Sequence, residues 1–221
     1  MMQFRKIEVA TSKLERLTQF YKHVLELDVL SPSANEILIR CGKSDLLFHQ
    51  TGGHQNPYYH LAFNVPSNQF ESAYGWLESR TKLNWLPEYN GFVAEFVNWN
   101  ARSVYFEDPA GNILELICRR DVSDNASENF SSRQIRCISE VGIVLPADDF
   151  ANQANILKSK YDLPYFDKQP PLSTFQALGD DEGLFILVPE GRIWFGSDKK
   201  SCMYELTVNF ENNGELRELT M

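Results

Sequence analysis

A single carboxylate, Glu115, stands in the apolar run Ile113-Leu114-Glu115-Leu116-Ile117. A charge in such a run is costly unless it is paired, holds a metal or faces a wet cavity. Near the N-terminus, Lys6 and Glu8 are two residues apart, and strand alternation sets them on one face. A protonated lysine cannot ligate a metal, but its charge can hold an anionic substrate or neutralise a carboxylate such as Glu115. Arg102 carries a guanidinium able to clamp a substrate carboxylate through two parallel hydrogen bonds; a surface ion pair is its other use. Trp99 suits a planar or apolar ligand, or belongs to the core. Glu140 and Glu205 fall at inward positions of later strands, where carboxylates could bind a cation, raise each other's pKa or pair with Arg192. His49 and His54 flank the Gly52-Gly53 turn, a loop position. The run Gly191-Arg192-Ile193-Trp194-Phe195 is either a pocket rim or a hydrophobic edge needing cover. No P-loop, dinucleotide fingerprint or Ser-His-Asp order is present.

The elements that must position these residues repeat one plan. The stretch from Asn98 to Leu116 reads as strand, turn, strand. Asp108-Pro109-Ala110-Gly111 supplies a preset φ at Pro109 and a free one at Gly111, as a reversing turn needs. The first segment has a strand over residues 4–11 and a capping box at Ser12-Lys13-Leu14-Glu15. A helix striped by Leu14, Leu17, Tyr21 and Val24 follows, then two strands that turn at Gly42. The second opens on Tyr59-His60-Leu61-Ala62-Phe63-Asn64-Val65, breaks at Pro66-Ser67, and has a helical stripe at Phe70, Ala73, Tyr74 and Leu77 before the closing hairpin. The third has a strand over residues 137–145, a cap at Asp148 or Asp149, a stripe at Phe150, Ala154, Leu157 and Tyr161, and a hairpin over 177–185. A last strand, 204–210, echoes 59–65, and little follows it. The pattern predicts an α+β architecture of repeated βαβββ units, the fourth barely begun.

The closing hairpin and the repeated plan resemble the vicinal-oxygen-chelate superfamily, which includes glyoxalase I, bleomycin-resistance proteins and extradiol dioxygenases. The resemblance is specific for residues 3–119 and looser over 135–212. It implies that βαβββ motifs form an open, cup-shaped barrel. Residues 1–120 would be a complete module, 121–133 a linker and 134–221 a truncated second module. In that family the metal sits inside the cup, held from the first strand of each motif and the last strand of the module. On that pattern His60 and Glu115 are ligands of a divalent Fe, Mn, Zn or Ni ion with open positions for a chelating substrate. The first-strand position, histidine in most relatives, falls on Lys6. Either Glu8 is therefore the third ligand or the family's metal site is gone.

The function implied is a glyoxalase-like metal-dependent enzyme of lyase, isomerase or dioxygenase type. Its substrate would be small with vicinal oxygens, Glu115 and Glu8 serving the chemistry and Arg102, Lys6 and Trp99 the substrate. The alternative is a metal-free binding protein of the bleomycin-resistance type that sequesters a small aromatic or flat compound.

Composition bounds the partners. At 221 residues and 43% hydrophobic, the chain can build a real core. A net charge of −9 argues against nucleic acid or an anionic membrane. No signal-peptide pattern or membrane-spanning run is present, and Cys41, Cys118, Cys137 and Cys202 lack CxxC spacing. Both point to a reduced, cytoplasmic protein. Half a cup without its facing half predicts a homodimer through the third segment, where Phe185, Trp194 and Phe195 would otherwise meet water; the alternative is docking of that segment within its own chain.

Overall fold

Alternation of apolar and polar residues builds thirteen strands among the residues described by the computed structural model, 1–52 and 56–221. His54 lies outside the described residues. The first motif holds β1 (Met2–Thr11), α1 (Leu14–Gln19), β2 (Asp28–Val29), β3 (Glu36–Cys41) and β4 (Ser44–Gln50). The second holds β5 (His60–Asn64), α2 (Phe70–Glu78), β6 (Val93–Phe96), β7 (Ala101–Glu107) and β8 (Ile113–Arg119). The third holds β9 (Cys137–Leu145), α3 (Phe150–Lys160), β10 (Gln176–Asp180) and β11 (Gly183–Pro189). Two strands remain for the fourth, β12 (Leu206–Asn212) and β13 (Glu215–Thr220). The expected α+β class is present, and the βαβββ plan is complete in the first two motifs, whereas the third has two strands after its helix in place of three.

The pairing of motifs departs from the expected partition at residues 1–120 and 134–221. One sheet runs β13-β12-β1-β4-β3-β2 and the other β10-β11-β9-β5-β8-β7-β6. The first motif thus joins the fourth, through antiparallel β1 and β12, and the second joins the third, through antiparallel β5 and β9. Residues 1–120 do not close on themselves. The expected reason for a dimer also goes: Phe185 and Trp194 are covered within the chain, at 1% and 4% exposure.

The backs of the two sheets share one core. Phe4, Ile7 and Val9 of β1 belong to the same buried cluster as Leu61, Phe63, Val141 and Ile143. Phe4 meets Phe185 edge-on at 5.0 Å, and Phe185 meets Phe210 at 5.2 Å. Ser44 stitches the layers, donating to the Phe4 carbonyl at 2.8 Å and accepting from the Ile138 amide at 3.1 Å.

Local signals were met unevenly. The turn after β7 forms with Gly111 at φ 87°. The buried Asp108 carboxylate accepts from the Tyr21 hydroxyl at 2.9 Å and from the Ala110 and Asn112 amides. The capping box expected at Ser12 does not form. Lys13 occupies the cap position of α1, and the Ser12 hydroxyl bonds Asn56 instead. A capping box does form in the linker, between Ser131 and Gln134. All four cysteines are free. No helix among the described residues is long and apolar enough to cross a membrane.

Candidate metal centre

Strand register assembles the centre around a methyl group. Ala62 of β5 is directly opposite Glu115 on β8 and Glu140 on β9. Directly paired residues project from the same face of a sheet, and so does His60, two residues earlier on β5. Between the two glutamates Ala62 contributes only a methyl, which leaves the space open. One ligand-type atom each from His60, Glu115 and Glu140 falls within 4.8 Å of the others.

In each of the three, one atom is tied to the protein and another faces the centre. His60 Nδ1 lies 3.2 Å from the Ile113 carbonyl, a contact that requires Nδ1–H and leaves the Nε2 lone pair free. That Nε2 is 3.7 Å from Glu115 Oε2 and 3.6 Å from Glu140 Oε2. The Ser103 hydroxyl donates to the other oxygen of Glu115, and the Arg119 guanidinium to the other oxygen of Glu140. Arg119 is fully buried and also donates to Asn64 at 3.1 Å and Ser139 at 2.9 Å. The β5–β9 register slips between Ala62 and Phe63, leaving Ser139 as an extra residue beside Glu140. Such a bulge re-aims side chains, and here both neighbours meet the guanidinium.

Two carboxylates and an imidazole buried together strain their protonation states. Burial and the Glu140 charge push the Glu115 carboxyl up to about 7, with His60, Ser103 and Tyr105 pulling the other way. Burial alone would lower His60, but the facing Glu140 and Glu115 carboxylates outweigh it and the imidazole titrates above its ordinary value. A divalent cation offers these groups what a shared proton supplies only in part. One imidazole nitrogen and two carboxylate oxygens, oriented by outer partners, suit a divalent first-row ion or zinc, so the donor set fits such a metal.

A cavity of about 290 Å³ opens onto these three residues. Its walls include Phe96, Trp99, Tyr105, Phe175, Trp194 and Phe195. The Trp194 ring is tilted over the His60 imidazole, centroids 5.2 Å apart. Gly142 makes room for it: a Cβ there would fall 2.6 Å from Trp194 Cη2 and 3.0 Å from His60 Cβ. The half-buried Arg192 lines the same cavity, so the Gly191-to-Phe195 run contributes to a pocket wall.

Of the residues singled out in the sequence, His60, Glu115, Glu140 and Trp99 meet here, together with Arg192, Trp194 and Phe195 of the 191–195 run. Glu8 does not. It sits in the other sheet, partly exposed, 3.0 Å from Lys6, and the pair neutralise each other. Glu140 takes the place considered for Glu8, because the second motif's partner is the third and not the first. Arg102 alternates to the far face of β7, where it bonds Glu71 and Glu95 and covers the Phe70 ring at 4.3 Å. Glu205 is exposed, and its backbone carbonyl receives the Tyr59 hydroxyl at 2.9 Å. His49 lies on β4 in the other sheet. Arg119, Ser103, Tyr105 and Gly142 escaped the sequence reading. An arginine ending the apolar β8 run was the one visible signal among them.

No family model matches the chain. It is similar to the metallothiol transferase FosB of Staphylococcus haemolyticus, 26% identical over 115 residues that span 50% of this chain and 78% of that protein. In structure it is similar to a candidate dioxygenase from Bacillus subtilis, with a TM-score of 0.61 and 16% identity over 99% of this chain and 84% of that one. It also aligns with a lactoylglutathione lyase from Agrobacterium tumefaciens over 51% of this chain and 90% of that one, at 19% identity and a TM-score of 0.41.

Proposed function

We propose that this chain belongs to the vicinal-oxygen-chelate superfamily and works as a divalent-metal-dependent enzyme acting on a small, flat substrate with two adjacent oxygens. The observation that carries this reading is the convergence of His60 Nε2, Glu115 Oε2 and Glu140 Oε2, each with its other polar atom already engaged. Those three residues would hold the metal. Bound there, it would supply Lewis acidity, polarising the substrate's oxygens and stabilising negative charge that develops on them.

The protein's own part is positioning and insulation. Arg119 fixes Glu140 and balances its charge; Ser103 fixes Glu115. Trp194 and Tyr105 flank His60 and limit water around it, with ring centroids at 5.2 Å and 6.5 Å. The aromatic walls would take the flat body of the substrate, with Trp99 among them.

The deciding experiment is elemental analysis of purified, metal-supplemented protein beside His60→Ala, Glu115→Gln and Glu140→Gln. About one metal per chain, lost in all three variants, is the expected result. No bound metal, with none of the variants destabilised, would favour a second reading suggested by the aromatic walls: a metal-free protein that sequesters a flat compound.

A further inference from the structure

Arg192 is a cation without an anion. The other arginines withdrawn in part or wholly from solvent, Arg80, Arg102, Arg119, Arg136 and Arg217, each have a carboxylate within 4.0 Å. Arg192 has none among the described residues. Its guanidinium sits over the Phe175 ring at 5.6 Å and makes one long bond, 3.4 Å, to the Ile193 carbonyl. Among the described residues it is the sole arginine or lysine lining the cavity that reaches His60, Glu115 and Glu140. Removing a guanidinium from water without a partner is costly, and burial alone lowers its pKa. A fold tolerates that readily when a ligand supplies the missing charge.

We propose that the compound taken by this cavity is an aromatic carboxylate, its ring among Trp99, Phe175 and Trp194 and its carboxylate paired with Arg192. The planar fork of a guanidinium matches a carboxylate through two parallel hydrogen bonds. The anion belongs at Arg192 because that guanidinium is the unpaired cation lining the cavity, whereas at the other polar end the charge of a bound metal is already balanced by Glu115 and Glu140. The inference rests on the reading of this cavity as the substrate site, and it adds a charge to the substrate class. It also transfers to Arg192 the anion-clamping role that the sequence suggested for Arg102.

Calorimetric titration of the metal-supplemented protein with 2-naphthoate and with its neutral counterpart 2-naphthalenemethanol tests this directly. The wild type should bind the acid at least about tenfold more tightly, as expected for hydrogen bonds to a charged group. Arg192→Met should erase that preference and leave the alcohol little changed, and Arg192→Lys should keep part of it. Equal affinities in the wild type, a preference that survives in Arg192→Met, or no binding of either compound would overturn the inference. Metal content measured on the same samples separates the two failures. A chain that holds its metal but ignores the carboxylate loses only this inference, whereas a chain without metal loses the enzymatic reading beneath it.

Discussion

Two buried glutamates that face one imidazole place a charge problem at the centre of this molecule, and single substitutions should expose it. Metal-free Glu115→Gln should be more stable than the metal-free wild type at pH 8, by up to about 3 kcal/mol, because it removes a carboxylate held far from its preferred ionisation. The same variant should fail to bind metal. Chemical denaturation with and without chelator reads both effects, and a destabilised metal-free variant would refute the first. Removing the outer partners should act more gently: Ser103→Ala should weaken metal binding by about 10- to 100-fold with the three inner residues intact.

The pH dependence has a definite sign. Glu115 titrates at about 7 in the folded chain against an ordinary 4.5, so between these values the folded state holds the extra proton. Stability from that group is lost as pH rises. His60 also titrates above its ordinary 6.5, and its contribution is likewise lost as pH climbs through its folded value. The melting temperature of the metal-free protein should therefore fall between about pH 5 and pH 8, and saturating metal should flatten the decline. A metal-free melting temperature that climbs over this window would contradict the assignment.

At the scale of elements, glycine and cap positions carry the sharpest expectations. Gly142→Ala places a methyl against Trp194 and His60, costs about 1–3 kcal/mol and tilts the indole away. Trp fluorescence should change while metal stays bound. Ser131→Ala should cost about 1 kcal/mol through its lost capping box, whereas Ser12→Ala should cost little, since Ser12 caps nothing. The contrast shows why some local signals could be read and others could not. Both serines have the same capping pattern, but at residue 12 the chain leaves β1 with Lys13 at the cap position and Asn56 within reach of the hydroxyl. The sequence set Glu115 in an apolar run and placed Glu140 and Glu205 at inward strand positions; Glu115 and Glu140 are buried, whereas Glu205 is exposed. Periodicity assigns a face, never a partner strand, so it could not say that Ala62 would lie between Glu115 and Glu140. Arg119 was unreadable for the same reason: what makes it matter is a neighbour on a different strand.

At the scale of the whole molecule, repeats were legible and their pairing was not. Four similar motifs permit more than one way of forming two sheets, and the linker after the second suggested a boundary that the strands ignore. A chain ending at residue 125 therefore lacks β9, and with it Glu140 and the strand beside β5. It should bind no metal and should unfold without a sharp cooperative transition. A truncated chain that melts cooperatively and retains metal would restore the self-closed first module.

The motif pairing is nested, second with third inside first with fourth, so Met2 lies opposite Asn212 across almost the full length of the chain. During synthesis the inner sheet has all its strands once Pro189 has emerged, and the outer sheet must wait for residues 206–220. Until then β1, seated beside β4, presents a bare edge that other nascent chains can join. Loss of the C-terminal hairpin β12–β13 would thus be felt at the opposite terminus, as an N-terminal strand with one side unclaimed. Deletion of residues 206–221 should yield aggregation rather than a merely shortened protein.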